Sequence, residues 1–388
     1  MRQLSFRCAA LVLGLSMLAA CSHQPPAPSA QQSALERALD LIRRDEAPDA
    51  RTAVWEIKLS CDDIVCRIEG ATDRPKAFER IRAAAAAARP AAAVSVRLLP
   101  ETSGSAHGSH VLAATATASL SGSPGFGKPV TTQALMGDLL EVLERRGSFL
   151  RVRLADGYIG WVHRLQTASV SGAGAHSTGN SPRVVVTQGQ AQILDAQGAV
   201  VSMAMLMNRL ELLGEQGGDY LVGLPDGRTG RLSKAAAQPE DAYLARWRRL
   251  RSGPRDAYVR ELLKNARSLV GTPYVWGGTS AAGLDCSGFV SLVYRMTGAV
   301  VPRDADQLAA AAQPVLHNRV EDIEPGELLF FGKRSAGGVS IEHVALSLGA
   351  GDFIHALGSV RIESLSEASP RFSAYERGRF LGAGRLNF

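Results

Sequence analysis

Aromatic residues make up only 6% of this 388-residue chain and cysteines number five, against 46% hydrophobic and 21% charged residues. Long apolar runs are equally scarce, and the one uninterrupted stretch is Ala9 to Ala20. Without further runs the chain is no multi-span membrane protein, and its hydrophobic fraction excludes wholesale disorder. At this length two to four globular domains are expected. Charge of one sign is also in short supply. The formal net charge is +6 and falls to +4 if Arg2 and Arg7 leave with the first twenty residues, too mild to argue for nucleic acid as a partner.

The Ala9 to Ala20 stretch is too short to span a bilayer and suits the apolar region of a cleaved signal peptide, residues 1–20. It ends in Leu18-Ala19-Ala20-Cys21, which resembles the lipobox of bacterial lipoproteins. That resemblance implies lipid on Cys21 and a membrane partner. Ser22 in place of Asp implies the outer membrane and a periplasmic location. Residues 21–34 carry Pro, Ser and Gln and no large apolar side chain, so they read as a flexible tether, roughly 3 Å per residue and about 40 Å long.

From Leu35 the pattern changes. Leu35, Leu39 and Ile42 form one helical stripe, strand-like segments follow around Leu59 and Ile68, a helix fits Pro75 to Arg89, and a strand fits Val94 to Leu98. Residues 35–105 are therefore a small α+β unit whose role is not legible. Cys61 and Cys66 flank four residues, a spacing that lets a hairpin bring them into disulfide range in an exported chain, with two free thiols as the other reading. A metal site there lacks two further ligands. Residues 108–170 give five short strands separated by turns, beginning with one over Val111 to Ala118. With Asp156-Gly157-Tyr158-Ile159-Gly160-Trp161 they resemble a bacterial SH3-like barrel. Residues 182–237 repeat the cadence, Asp226-Gly227-Arg228-Thr229-Gly230 echoing the earlier turn, and read as a divergent second copy. Residues 238–254 are a connecting helix.

Chemistry concentrates in residues 255–388. Cys286 precedes a helical stripe of Phe289, Leu292, Val293 and Met296, which places it at a helix N-terminus, where unpaired N–H groups lower a thiol pKa and can donate to an oxyanion. His343 opens one strand after a Gly-rich loop and His355 lies on the next, a spacing that suits a hairpin with adjacent imidazoles. The pattern is that of a nucleophile, a base and an orienting group. Residues 271–360 carry Tyr274-Val275-Trp276-Gly277-Gly278, Asp285-Cys286-Ser287-Gly288, Pro302-Arg303-Asp304 with Gln307, and Pro325-Gly326-Glu327. Together with His343 and His355 these resemble the NlpC family of papain-like cell-wall cysteine peptidases. The resemblance implies a helix packed on an antiparallel sheet and cleavage of peptidoglycan stem peptides between γ-D-glutamate and a diamino acid, with no cofactor and no metal. It also implies Tyr274 at the oxyanion and Asp285 and Ser287 on the substrate side. Trp276 and Arg303 are expected to hold the site walls, and His163 and His317 to be surface residues.

Two SH3-like copies ahead of such a domain resemble a subgroup that trims free muropeptides bearing an unblocked N-terminal L-alanine. In it the amine is held by an acidic residue, by a Tyr matching Tyr158, and by the Asp matching Asp285. Ser123 stands at the acidic position, which removes a charge-assisted contact worth about 1.5–3 kcal/mol. Free muropeptides and intact wall are thus both candidate substrates. A wall-binding or scaffolding lipoprotein with a silent peptidase domain is the alternative function, and oligomeric state is not encoded in any pattern found.

Overall fold

The computed structural model describes residues 30–62, 64–88, 90–100, 110–170 and 181–387. The expected signal peptide, Cys21 and its flanking tether to residue 29 lie outside these. The last five residues assigned to the tether belong to helix α1 (Ala30–Glu46). Its Leu35, Leu39 and Ile42 pack with Ile81 and Ala85 of α2 (Pro75–Ala87) on a three-stranded sheet, β1 (Lys58–Cys61), β2 (Cys66–Thr72) and β3 (Ala93–Leu98). β1 and β2 are antiparallel and joined by a Cys61–Cys66 disulfide, while α2 crosses over to make β3 parallel to β2.

The next two units share one topology. The first has β4 (His110–Ala113), β5 (Thr117–Ser121), β6 (Val130–Leu135), β7 (Leu139–Arg146), β8 (Phe149–Arg153), β9 (Ile159–His163) and β10 (Thr167–Ser169), in spatial order β10-β4-β7-β8-β9-β5-β6. The second has β11 (Arg183–Val186), β12 (Gln190–Leu194), β13 (Val200–Met205), β14 (Arg209–Gln216), β15 (Asp219–Gly223), β16 (Thr229–Ser233) and β17 (Ala237–Pro239), in order β17-β11-β14-β15-β16-β12-β13. Position by position the two orders coincide. The single strand expected over Val111 to Ala118 is two, because the chain turns at residues 114–116 so that β4 pairs with β7 while β5 pairs with β6 and β9. Before β14, Met207 occupies φ 67°, where Gly137 sits at φ 87° in the first copy. Burial of the Met207 side chain among Leu206, Tyr243 and Trp247 offsets that strain.

Helices α3 (Glu240–Ser252) and α4 (Arg255–Ser268) lead into the last unit. There α5 (Cys286–Arg295) packs with α4 against an antiparallel sheet of β20 (Gln313–Val315), β21 (Leu328–Ser335), β22 (Gly338–Gly349), β23 (Asp352–Leu357), β24 (Ser359–Ser364) and β25 (Phe380–Arg385). A small hairpin, β18 (Thr279–Ser280) with β19 (Gly283–Leu284), precedes α5, α6 (Ala305–Ala311) follows it, and α7 (Ala374–Arg379) precedes β25. Residues alternate along the strands: Leu328, Phe330, Val344, Leu346 and Ile354 join the α5 core, whereas Leu329, Phe331, Ala345 and Phe353 form a second cluster.

The units interlock. Val54, Ala71 and Leu99 of the N-terminal unit form one apolar cluster with Leu143 and Ile159 of the first barrel, rimmed by the Asp73–Arg153 and Glu56–Arg146 ion pairs. Arg51 reaches the last unit, with Nη1 2.9 Å from Asp304 Oδ2 and Nη2 2.7 Å from Asp306 Oδ2. Among the described residues no helix is long and apolar enough to cross a membrane.

Candidate active site

Asp285 ends the β19 segment and caps α5, its Oδ1 accepting from the Gly288 N–H at 2.6 Å. The first turn of α5 is thereby fixed and Cys286 becomes its first residue. Close approach of the loop before it requires glycine. A Cβ on Gly288 would lie 2.0 Å from the Gly278 carbonyl oxygen, and Gly277 adopts φ 75° with the Val130 oxygen of the first barrel packed against it.

The Asp285 carboxylate is fully engaged. Arg303 donates through Nη1 to Oδ1 (3.0 Å) and through Nη2 to Oδ2 (2.6 Å), and the Gly277 N–H donates to Oδ2 (2.9 Å). Arg303 Nη1 also donates to Ser287 Oγ and Nε to Thr132 Oγ1 of the first barrel. Asp285 and Ser287 are both buried, and these bonds hold the loop together. Arg303 holds a wall, as its motif implies. Trp276 is 69% exposed.

His343 is not at the start of a strand. β21 and β22 continue past it to a tight turn at residues 335–338, so the expected Gly-rich loop is a hairpin tip and His343 sits mid-strand opposite Phe331. His355 follows on β23. The two rings share the face that carries Phe331 and Phe353, and His343 Nε2 is 2.8 Å from His355 Nδ1. Both rings are buried, His355 completely. Cys286 reaches β22 from α5, its sulfur accepting from the backbone N–H groups of Ser287 and of Val344, the neighbour of His343.

Electrostatics here differ from the expectation for a helix N-terminus. Burial, with the Asp285 charge beside it, pushes the Cys286 thiol up to about 11, against the smaller pull of those N–H donors and Arg303. Burial pulls His343 down to about 4, helped by Arg379 and Arg361. The resting pair is therefore thiol and neutral imidazole, and the thiolate forms by proton transfer. Tyr274 lies close enough to sense the charges of Cys286 and Asp285. Burial raises its hydroxyl to about 12, so it remains a donor.

Tyr158 comes to the same rim from the first barrel. It is buried against Asp304, Arg303, Thr131 and Arg51. Ser123 is exposed. Among the expected surface histidines, His163 packs against Phe126 and Phe149. His317 is instead drawn in, its Nε2 2.7 Å from the buried carboxylate of Glu327, which Arg385 also holds. The acid of the Pro-Gly-Glu motif is thus a clasp for the sheet edge. Ligand atoms of His343, His355 and Glu376 fall within 4.8 Å of one another, although the bond between the imidazoles already commits one nitrogen of each.

A buried thiol at a helix N-terminus, beside hydrogen-bonded histidines on neighbouring strands of an antiparallel sheet, defines a cysteine peptidase of papain-like architecture. Comparison with known proteins agrees. Residues 271–376 match the NlpC/P60 family, and residues 120–165 match the bacterial dipeptidyl-peptidase Sh3 domain. A γ-D-glutamyl-L-lysine dipeptidyl-peptidase of Bacillus cereus is 32% identical over 253 residues, spanning 62% of this chain and 70% of the relative. The protein of the same name from Bacillus subtilis is 26% identical over 235 residues, 58% of this chain and 72% of its own. The crystal structure of an NlpC/P60 family protein from Bacillus cereus aligns with a TM-score of 0.59 at 24% identity, across 72% of this chain and 99% of that one. The chain belongs to the NlpC/P60 family and is a cysteine peptidase.

Proposed function

We propose that this chain hydrolyses peptidoglycan stem peptides at the bond between γ-D-glutamate and a diamino acid. The hydrogen-bonded His343–His355 pair beside Cys286 carries this reading, and the names of the Bacillus relatives support the substrate class. Cys286 passes its proton to His343 and attacks the γ-glutamyl carbonyl. The oxyanion is met by N–H groups at the α5 N-terminus and by the Tyr274 hydroxyl, and His343 then protonates the departing amine. Water, with His343 as base, releases the acyl-enzyme. His355 orients the His343 ring.

Of the two candidate substrates we favour short, free muropeptides, because a barrel packs onto the catalytic unit. The first barrel seals the loop ahead of Cys286, with Gln133 Oε1 accepting from the Thr279 N–H at 3.0 Å and Gln133 O accepting from the Thr279 hydroxyl at 3.1 Å. We propose the same anchoring that the N-terminal motif implies: lipid on Cys21, at the periplasmic face of the outer membrane, which radiolabelled palmitate incorporation with a Cys21→Ser control tests.

Mass spectrometry of L-Ala-γ-D-Glu-diaminopimelate digests, with free and acetylated amine, alongside whole sacculi, tests the assignment. Wild type releases the L-Ala-γ-D-Glu dipeptide, Cys286→Ala loses at least about a thousandfold in kcat, and a chelator leaves the rate unchanged. Wild-type turnover by Cys286→Ala would eliminate the mechanism. Faster digestion of sacculi than of the tripeptide would eliminate the preference for free peptides.

A further inference from the structure

Behind His355 lie buried polar atoms that do not pair off. To take a proton from Cys286, His343 must offer one bare ring nitrogen. Its Nε2 is committed to His355 Nδ1 at 2.8 Å, so Nδ1 is the accepting atom, Nε2 carries hydrogen, and His355 Nδ1 accepts. The hydrogen of His355 is then on Nε2, which is fully buried and makes no hydrogen bond. Two carboxylates from different elements lie close by, Glu363 against this nitrogen and Glu376 within 4.8 Å of ligand nitrogens of both rings. Glu363, on β24 diagonally across from His355, places Oε2 3.4 Å from Nε2, and that oxygen too is buried without a hydrogen bond, whereas its Oε1 lies 2.8 Å from Arg361 Nη2. Glu376, on α7, is completely buried. Neither of its oxygens has a hydrogen bond, and its ion pair with Arg379 is 3.5 Å long. A buried donor and buried acceptors without partners are costly apart and favourable together.

We infer that Glu363 and Glu376 are positioning residues that extend the line Cys286, His343, His355 by a carboxylate pair. They receive the His355 Nε2–H, fix its tautomer, and balance the positive charge of the His343 ring once it holds the thiol proton. One proton moves, from Cys286 Sγ to His343 Nδ1, and the Nε2 hydrogens of both rings stay in place. Glu376 has its carboxyl raised by burial and by Glu363, against Arg379, which suits two acids sharing one proton. The charged groups acting on the two rings are Arg361 on β24 and Arg379 on α7, the latter bonded to the exposed Glu342 of β22. The inference rests on Cys286 and His343 as the reacting pair and is independent of which peptide is cleaved.

Alkylation of Cys286 by iodoacetamide as a function of pH reads thiolate formation without any substrate. For Glu363→Gln and Glu376→Gln, singly and together, the plateau rate falls about ten- to a hundredfold and the acid limb moves to lower pH, since imidazolium loses its counter-charge. Peptide kcat falls in parallel with KM unchanged. Variants that alkylate and cleave like wild type, with only a lower melting temperature, would show a purely structural role and overturn the inference. Should the variants not fold, long-range 1H–15N correlation on wild type decides: an Nε2–H tautomer at His355 is expected, and an Nδ1–H tautomer overturns it.

Discussion

Buried, neutral histidines take up protons when the chain unfolds below about pH 6.5. His343 is held near 4 and His355 near 2 by burial, against about 6.5 in the unfolded chain. Between pH 6.5 and 4 the unfolded state binds more protons, so stability is complete above that window and declines as pH falls through it, by up to about 1.4 kcal/mol per pH unit for each histidine. The raised Glu376 opposes this slope, so the comparison is made by difference. Urea titrations across the window are expected to give a shallower decline for His355→Gln than for wild type. Arg303 is the other residue on which much depends. Arg303→Ala strands the buried Asp285 carboxylate and is expected to cost about 3–5 kcal/mol in the same titrations; a loss below 1 kcal/mol would contradict its role. Cys286, His343 and His355 were legible because each stands in a short motif. Glu363 and Glu376 were not: both approach His355 only through β24 and α7, and no local spacing marks a contact made across a sheet.

Elements show a similar division. The stripes of α1, α4 and α5 follow from apolar spacing, since a helix that buries one face must repeat it every three or four residues. β13 went unread because Val200 to Met205 alternates among small and medium side chains with little contrast. The break between β4 and β5 carries neither Gly nor Pro and is made by pairing with different neighbours, a tertiary cause. At α5 the local rule is strict. A methyl group on Gly288 would meet the Gly278 oxygen at 2.0 Å, so Gly288→Ala must shift the helix start and with it the nucleophile. Displacements near 1 Å cost about a hundredfold. Single-turnover assays are expected to show that loss with the far-ultraviolet circular dichroism unchanged, and an unimpaired rate would mean the loop yields freely.

At the scale of the whole molecule, the unit whose role was illegible proves to be a brace. Its own hairpin and crossover were readable, but what it touches was not, because docking surfaces carry no periodic signal. The Arg51 backbone carbonyl accepts from the Ile159 N–H at 2.7 Å, its side chain grips Asp304 and Asp306, and Gln307 Nε2 donates to Asp49 Oδ2 at 2.7 Å. One short segment thus ties the first barrel to the α6 end of the peptidase unit, next to Arg303. The partners are partly exposed, so Arg51→Ala is expected to cost only about 1 kcal/mol. Its signature is local: hydrogen exchange of the Ile159 amide and of α6 should quicken while the Thr279 amide, held by Gln133, keeps its protection. Uniform protection would mean the brace does not bear on the site.

The hairpin that carries both histidines turns at Ala350-Gly351, both at positive φ, and has one surplus residue, Leu348, between the Ser347–Phe353 and Gly349–Asp352 pairs. Side chains along a strand alternate in parity, and the surplus lets the turn run out of phase with the paired strands. Excising Leu348 would leave Ser347–Phe353 and Leu346–Ile354 in register and His355 on the face beside His343, changing only how the turn meets the strands. The proton path through this enzyme therefore tolerates a miscount at the turn, because the parity that places both histidines is counted from the paired strands.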